Sequence, residues 1–458
     1  MRKALLLVSI CLLAGLGGYF GGLSSKQALI VSVFSVSIAG TLLFWDFRLA
    51  LVFTAGSILF VISGVTIGRF IEFASIDVIL FLIGMMIVIG AMKEAGVFQG
   101  LVGFLLHIRN LSGVRLFVIT MILSAALSAL TGEVTSIIVM VAIILDICKS
   151  LEIDPVPLVI SSVLTTNIGS ASTLLGNPIG ILIALRGGLT FEDFLTRALP
   201  LSVVVLGAVI LTLCIWYRDY IREISSRLAG RKNSQRTAQA VSPGFRERTN
   251  ILLFALMIVL IALHKRLEML LGMTENDLLI ILPVIFAGFF MFLRPEKIRS
   301  YIENEVEWSS LLFFMFLFAQ AGVIQSSGVA EFLARRLVES TGSHPAVLSA
   351  VTLFSSGLLS GVLDNTVVVA SYIPVVKNLH LLHFSLKPLW WCLLFGACFG
   401  GNITAIGSTA NIVALGLLEK EQNRKVNFIE WLKLGLIVGI LSLAISYAAV
   451  SLLGIFSR

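Results

Sequence analysis

Charge is what this sequence has least of. Asp, Glu, Lys and Arg make up only 13% of its 458 residues, whereas 58% are hydrophobic. The surface of a soluble protein needs far more charge, so soluble globular and disordered proteins are excluded. The net charge of +7 does not indicate a nucleic-acid partner, because in so apolar a chain the placement of the basic residues matters more than their sum.

Paired metal-ligating residues are also missing. The five cysteines stand apart within apolar stretches without a CxxC pair, and the five histidines include no HExxH motif. Isolated cysteines of this kind are typical of small buried side chains. We therefore predict no disulfide framework, no metal centre and no cofactor.

Long apolar runs are what the sequence has instead. Several reach the roughly 18 to 20 residues that a helix needs to cross a bilayer, which predicts a multi-pass protein of the plasma (inner) membrane. The first run, residues 4–22, would also suit a signal peptide, but the missing A-x-A site favours an uncleaved span. Further apolar segments are interrupted midway by polar residues or glycine, namely 114–150, 156–190, 345–378 and 388–418.

The interrupted segments recur in the same order in the second half of the chain. Matching residues lie about 232 positions apart throughout, which indicates an internal repeat. The matched pairs include Phe81 with Phe313, Gly90 with Gly322, Ser128 with Ser360, Gly169 with Gly400 and Gly176 with Gly407. We predict an extra N-terminal span over 1–26, a first repeat over 27–217, a flexible cytoplasmic linker over 218–249 and a second repeat over 250–458.

The polar interruptions also predict the topology. Thr131-Gly132-Glu133 and Asp364-Asn365-Thr366 are expected to form the tips of re-entrant hairpins, which leave each repeat with an odd number of full spans. The predicted fold class is an all-α polytopic membrane protein with two inverted repeats, re-entrant hairpins, broken helices and about 11 transmembrane spans. With the N-terminus inside, about two thirds of the 33 lysines and arginines lie on the cytoplasmic side, as the positive-inside rule requires.

The broken helices and hairpin tips are where we expect a binding site. An unwound segment exposes N–H groups at one half-helix and carbonyls at the other, and its hydroxyl and amide side chains are neutral ligands. Close helix packing would explain one cluster of small residues, but two equivalent clusters favour binding. A carboxylate inside a membrane is a functional hypothesis by default. The predicted substrate- or ion-binding residues are Glu133, Thr135, Asn167, Ser170, Ser172, Thr173, Asn177, Asp364, Asn365, Thr366, Gly401, Asn402, Thr404, Ser408 and Asn411.

Four stretches resemble the ion transporter superfamily, in the branch of arsenite/antimonite permeases, NhaD-type sodium/proton antiporters and the P protein; citrate and dicarboxylate transporters are more distant. They read LSALTGEVTSIIVMVAIILDIC, TTNIGSASTLLGNPIGILIA, LSGVLDNTVVVASYIP and GGNITAIGSTANIVALG. The resemblance implies a scaffold domain, a mobile transport domain and a homodimer. The substrate ligands would come from both hairpin tips and both unwound segments.

The first half departs from the family pattern. Where the family has LDN at the first hairpin tip this chain has Glu133, and where the family has GDPPN it has Gly176-Asn177-Pro178. One acid is thus lost and another gained, which predicts that Glu133 binds the coupling ion; the alternative is that Glu133 only caps the helix that follows it.

The expected function is that of an ion-coupled secondary transporter of a small solute, with arsenite-like efflux or sodium/proton exchange as the leading forms and sodium or a proton as the coupling ion. The alternative within this class is a sodium-coupled dicarboxylate or citrate transporter. From a different class, an intramembrane hydrolase could use Glu133 and Asp364 as a carboxylate pair, but the chain has no GxGD or GxSxG motif. We therefore predict that it is not an enzyme.

Overall fold

The computed structural model describes residues 2–97, 112–230, 245–341, 344–379, 384–422 and 426–452, and every regular element in these ranges is a helix. The first half contains α1 Arg2–Phe20, α2 Ser25–Leu43, α3 Arg48–Ser63, α4 Ile67–Phe73, α5 Ile76–Glu94, α6 Gly113–Thr131, α7 Glu133–Leu151, α8 Val156–Ser170, α9 Pro178–Gly187, α10 Leu199–Trp216 and α11 Arg218–Gly230. The second half contains α12 Phe245–Ala262, α13 His264–Leu271, α14 Asp277–Leu293, α15 Trp308–Ser326, α16 Val329–Thr341, α17 Pro345–Ser360, α18 Asn365–Leu379, α19 Lys387–Gly400, α20 Thr409–Gln422 and α21 Phe428–Leu452. Short helical turns precede α3, α10 and α15.

Apolar runs become helices because hydrocarbon offers no hydrogen-bond partners. In a helix, the backbone N–H and C=O groups bond to one another within the same segment. Among the described residues, nine helices are long and apolar enough to cross a membrane, or up to eleven if each bent pair counts as one span. The predicted fold class, an all-α polytopic membrane protein, is confirmed.

The predicted interruptions are breaks between helices. Gly132 alone separates α6 from α7, and its positive φ of 88° is a conformation that a residue with a side chain rarely adopts. A longer turn, residues 361–364, separates α17 from α18. Residues 171–177 unwind between α8 and α9, and residues 401–408 unwind between α19 and α20. We call these two stretches the first and the second unwound segment.

The internal repeat is also visible in the packing. Gly169 lies against the backbone of Ala125, and its counterpart Gly400 lies in the same way against Gly357; a Cβ on either glycine would overlap a carbonyl oxygen. In both halves, the helix before the unwound segment therefore packs on the first helix of the hairpin at the equivalent residue. Such close approach between helices requires a glycine at the contact.

The chain forms two compact units, and each takes residues from both halves. Unit 1 comprises Met1–Ile79, Glu307–Gly401 and Ser446–Arg458, and unit 2 comprises Leu80–Val306 and Asn402–Ile445. Within unit 1, Gly322 of α15 packs on Phe73; within unit 2, the equivalent Gly90 of α5 packs on Glu305, the equivalent of Phe73. Each half thus contributes a helix that packs on the other half. The repeat boundaries at 27–217 and 250–458 stay a prediction.

The expectation of a flexible linker over 218–249 was wrong for both of its ends, because Arg218–Gly230 form α11 and α12 begins at Phe245. Helix α11 is amphipathic: Ile221 and Ile224 are buried, and Ser225 accepts a hydrogen bond from the backbone N–H of Gly113 over 3.1 Å. The frequent arginines made the segment look like a solvated loop, although its few apolar residues follow the helical period. Residues 231–244 of the predicted linker lie outside the described residues.

Candidate solute and ion site

Three buried asparagines in unit 2 join the two broken helices. The side-chain Nδ2 of Asn167, near the end of α8, donates to Oδ1 of Asn402 over 2.8 Å and to Oδ1 of Asn411 over 2.9 Å. Asn402 belongs to the second unwound segment and Asn411 to the first turns of α20. None of the three is more than 1% exposed. One amide group therefore connects α8 to two points of the second half.

The same asparagines make further hydrogen bonds within the protein. Asn402 donates through Nδ2 to the carbonyl of Leu164 over 3.1 Å, and Asn411 donates to the carbonyl of Thr404 over 2.9 Å. Ser408 donates its hydroxyl to Oδ1 of Asn167 over 3.2 Å. Such a network keeps several buried polar groups satisfied at once and fixes their orientation. We call Asn167, Asn402, Ser408 and Asn411 the amide network.

The first unwound segment is held mainly by its own side chains. Asn177 donates to the hydroxyl of Ser170 over 2.9 Å and accepts from the backbone N–H of Gly180 over 2.7 Å, which caps α9. Ser172 donates to the carbonyl of Gly169 over 2.6 Å, and Thr173 donates to the carbonyl of Ala129 in α6. Asn177 therefore acts as the N-cap of α9.

Glu133 stands where the first hairpin meets this segment. Its backbone N–H donates to the carbonyl of Gly176 over 2.9 Å, and its side chain is only 4% exposed. It is the first residue of α7, where the helix dipole stabilises a negative charge. Thr135 lies half-buried in the same turn. This position is compatible with the predicted binding of an ion beside the unwound segment. It is equally compatible with the alternative, in which Glu133 only stabilises the start of α7.

The remaining predicted residues belong to unit 1. Asp364 is 6% exposed, and its Oδ1 accepts from the backbone N–H of Thr366 over 2.9 Å, so it caps the first turn of α18. Asn365 and Thr366 are buried in that turn, and Gly401 is the last residue of the unit before the chain enters unit 2. The second hairpin thus ends in a capping acid, whereas the first ends in a glycine followed by an acid.

Two buried hydroxyl groups were missed by reasoning from the sequence. Within the described residues, the hydroxyls of Ser128 in α6 and Thr166 in α8 have no hydrogen-bond partner, although neither side chain is exposed. An unpaired buried hydroxyl costs about 1–3 kcal/mol. Ser360, the counterpart of Ser128, donates to the carbonyl of Ala397 over 2.6 Å. Recurrence of a serine in both repeats was a signal that could have marked Ser128 as a candidate ligand.

The chemistry of the predicted set is that of oxygen ligands. It contains two carboxylates, several amides and hydroxyls, and neither lysine, arginine nor histidine. Over the ranges that the structure describes, no group of three or more His, Cys, Asp or Glu side chains could hold a metal ion. Neutral oxygens with an occasional carboxylate suit hard cations such as sodium, which bind oxygen rather than sulfur or imidazole.

Comparison with known proteins shows what the chain is similar to. The family model described as citrate transporter, CitMHS, matches residues 28–396 and 315–456. An uncharacterized transporter of Mycobacterium tuberculosis is 32% identical over 376 residues, which cover 81% of this chain and 84% of the relative. The P protein of Homo sapiens is 26% identical over 435 residues, which cover 80% of this chain and 52% of the P protein.

A solved structure has the same fold. The crystal structure of the Alcanivorax borkumensis YdaH transporter superposes with a TM-score of 0.56, covering 93% of this chain and 98% of that one. The sequence identity is 16%. This likeness shows the arrangement of the helices alone.

Proposed function

This chain belongs to the citrate transporter family, CitMHS, of the ion transporter superfamily, and on that premise we propose that it is a secondary transporter that exchanges sodium for protons. Glu133 binds the proton or the sodium ion in turn, and the neutral oxygens of the first unwound segment complete the coordination of sodium. The amide network keeps the second unwound segment in register with α8 during the cycle.

The observation that carries the proposal is the setting of Glu133. Its carboxylate is nearly inaccessible, it begins a helix next to an unwound backbone, and no basic side chain belongs to the predicted set. Burial disfavours a bare carboxylate unless a cation or a proton accompanies it. A site of this kind favours a small cation over a solute with several negative charges.

Citrate transport is the second candidate, and the family's description favours it. Backbone N–H groups of unwound segments and the amide donors could bind carboxylate groups, with sodium ions balancing their charge. Arsenite, as a neutral oxyacid, would also suit hydroxyl and amide ligands. An intramembrane hydrolase has less support, because several of the relatives found are named as transporters.

Proteoliposomes that contain a pH-sensitive dye test the proposal. An inward sodium gradient should make the vesicle interior more alkaline, because each entering sodium ion drives protons outward, and a potassium gradient should not. Vesicles without protein provide the control. Parallel vesicles receive labelled citrate or arsenite under the same gradient.

The proposal fails if the internal pH does not respond to sodium in vesicles that contain folded protein. Accumulation of citrate against its gradient in those vesicles would establish the second candidate, and accumulation of arsenite would establish oxyacid transport.

A further inference from the structure

Helix α21 contacts the backbone of the second unwound segment within unit 2. Trp431 is 1% exposed, and its indole Nε1–H donates to the carbonyl oxygen of Asn402 over 3.2 Å. One turn later, a Cβ on Gly435 would overlap the carbonyl oxygens of Asn402 and Ile403, and a further turn on, Gly439 faces the side chain of Ile403. Residues four apart lie on one face of a helix. This face of α21 therefore combines one hydrogen-bond donor, Trp431, with two glycines, Gly435 and Gly439, that leave room for the unwound segment.

Asn402 is held from three directions. Its Oδ1 accepts from Asn167, its Nδ2 donates to the carbonyl of Leu164, and its own carbonyl accepts from Trp431. A carbonyl in an unwound segment has lost its helical partner, and hydrocarbon offers no replacement. Trp431 supplies that partner from a neighbouring helix. The backbone and the side chain of Asn402 are therefore fixed together.

The hydrogen bond from Trp431 has no counterpart at the corresponding residue of the first half. The equivalent membrane span begins at Phe191 and α21 begins at Phe428, so Phe194 and Ala198 occupy the positions of Trp431 and Gly435. Phe194 is buried like Trp431, but its side chain has no hydrogen-bond donor. The donor that α21 supplies is therefore a feature of the second unwound segment.

We propose that Trp431 is a positioning residue for the transport site. It fixes the carbonyl of Asn402, and with it the side chain that meets Asn167, without contacting the transported ion. Gly435 and Gly439 allow α21 to approach closely enough for the hydrogen bond to form. The inference rests on the proposed function only in assigning sodium as the ion whose binding is affected.

The test replaces the indole with a ring of similar shape that has no donor, Trp431→Phe, and compares it with Trp216→Phe on an exposed part of α10. In the dye-containing proteoliposomes, Trp431→Phe should raise the apparent KM for sodium about fivefold to tenfold, the size expected for one lost hydrogen bond, and leave the maximal rate near that of the wild type. Trp216→Phe should change neither. An unchanged KM, or a fall in the maximal rate alone, would overturn the proposal.

Hydrogen–deuterium exchange tests the contact independently of the transported ion. Peptides that cover residues 402–408 should take up deuterium about fivefold faster in Trp431→Phe, while peptides from α2 and α3 remain unchanged. A uniform increase along the whole chain would show general destabilisation and would contradict a positioning role, as would unchanged uptake at 402–408. This measurement is valid even if the protein does not exchange sodium for protons. Failure of the proposed function can therefore be distinguished from failure of the positioning role.

A second variant covers the case in which Trp431→Phe does not fold. Gly439→Ala adds a methyl group against the flexible side chain of Ile403 and displaces the unwound backbone slightly. It should reproduce the faster exchange at 402–408 to a smaller degree. Wild-type exchange there would again count against the proposal.

Discussion

The two unwound segments occupy equivalent positions in the repeat, but they are stabilised in different ways. The first is held by its own residues and by the hairpin tip, through Asn177, Ser170 and the bond from Glu133 to Gly176. The second is bonded by Asn411 of the helix that follows it and, in addition, from more distant helices, by Asn167 of α8 and Trp431 of α21. The two repeats therefore share the position at which a helix breaks. They differ in the residues that form hydrogen bonds with the unwound segment. We expect the first segment to bind the ion and the second to keep a fixed position while the ion binds and leaves.

Removing the charge of Glu133 should have the largest effect. Glu133→Gln keeps the size of the side chain and the backbone bond to Gly176 but removes the group that a proton or sodium ion would neutralise. We expect sodium-driven proton movement to fall at least about a hundredfold, because the variant can no longer alternate between two charge states. The measurement is the rate of pH change in proteoliposomes.

The matched control is Glu268→Gln. Glu268 is also buried, but its carboxylate accepts hydrogen bonds from the backbone N–H groups of Asn276 and Leu278 at the start of α14, which belong to neither unwound segment. The Glu268→Gln variant should have a modestly lower thermal stability and unchanged transport. Should Glu133→Gln transport like the wild type, Glu133 is a helix-end acid and nothing more.

Loss of Asn167 should release the second unwound segment from α8. Asn167→Ala removes two donated and one accepted hydrogen bond from a buried network, and each abandoned group costs about 1–3 kcal/mol. We expect a clearly lower unfolding midpoint in detergent and loss of transport. Asn304→Ala, at an exposed asparagine, is the control. Normal transport by Asn167→Ala would show that the two broken helices work without this connection.

Gly169 and Gly400 test the feature that the two halves share, which is the close packing of the helix before each unwound segment on the first helix of the hairpin. Gly169→Ala and Gly400→Ala each place a methyl group against a backbone carbonyl of the neighbouring hairpin helix. We expect similar destabilisation by about 1–3 kcal/mol in both, because overpacked helices must separate. Gly207→Ala meets open space and should have no such cost. Thermal unfolding midpoints decide, and a large inequality between Gly169→Ala and Gly400→Ala would argue against equivalent packing.

Asp364→Asn should have the smallest effect on stability. An asparagine caps a helix about as well as an aspartate, so the bond to the N–H of Thr366 is retained and the unfolding free energy should change by less than about 0.5 kcal/mol. Transport should fall severalfold, since an amide oxygen is a weaker ligand for a cation than a carboxylate. An unchanged rate would identify Asp364 as a cap alone.

Much of the fold could be predicted from the sequence because its signals are local. Apolar runs long enough to span a bilayer predicted the helices, and Gly132 and Pro178 marked breaks that the structure contains. Helix α11 was missed because its arginines outweigh the two isoleucines that pack inward. A short amphipathic helix gives a weaker signal than a membrane span.

The candidate site was predicted as a set of residues but not as an arrangement. Asn167, Asn402 and Asn411 were all named in advance, yet their bonds to one another join positions 235 and 244 residues apart. Trp431 gave no signal at all, because a tryptophan within an apolar run is typical of any membrane helix.

By itself, the sequence determined that this protein is helical, crosses the membrane many times, repeats internally and breaks its helices at corresponding places. The helices and their breaks follow from the composition and order of residues within about 20 positions of one another, and the repeat follows from comparing the two halves of the chain. Only the tertiary structure decided that the amides satisfy each other, that Asn177 caps α9 and that α21 supports Asn402. Hydrogen bonds between distant segments depend on distances and directions that folding establishes, and residue types alone do not contain them.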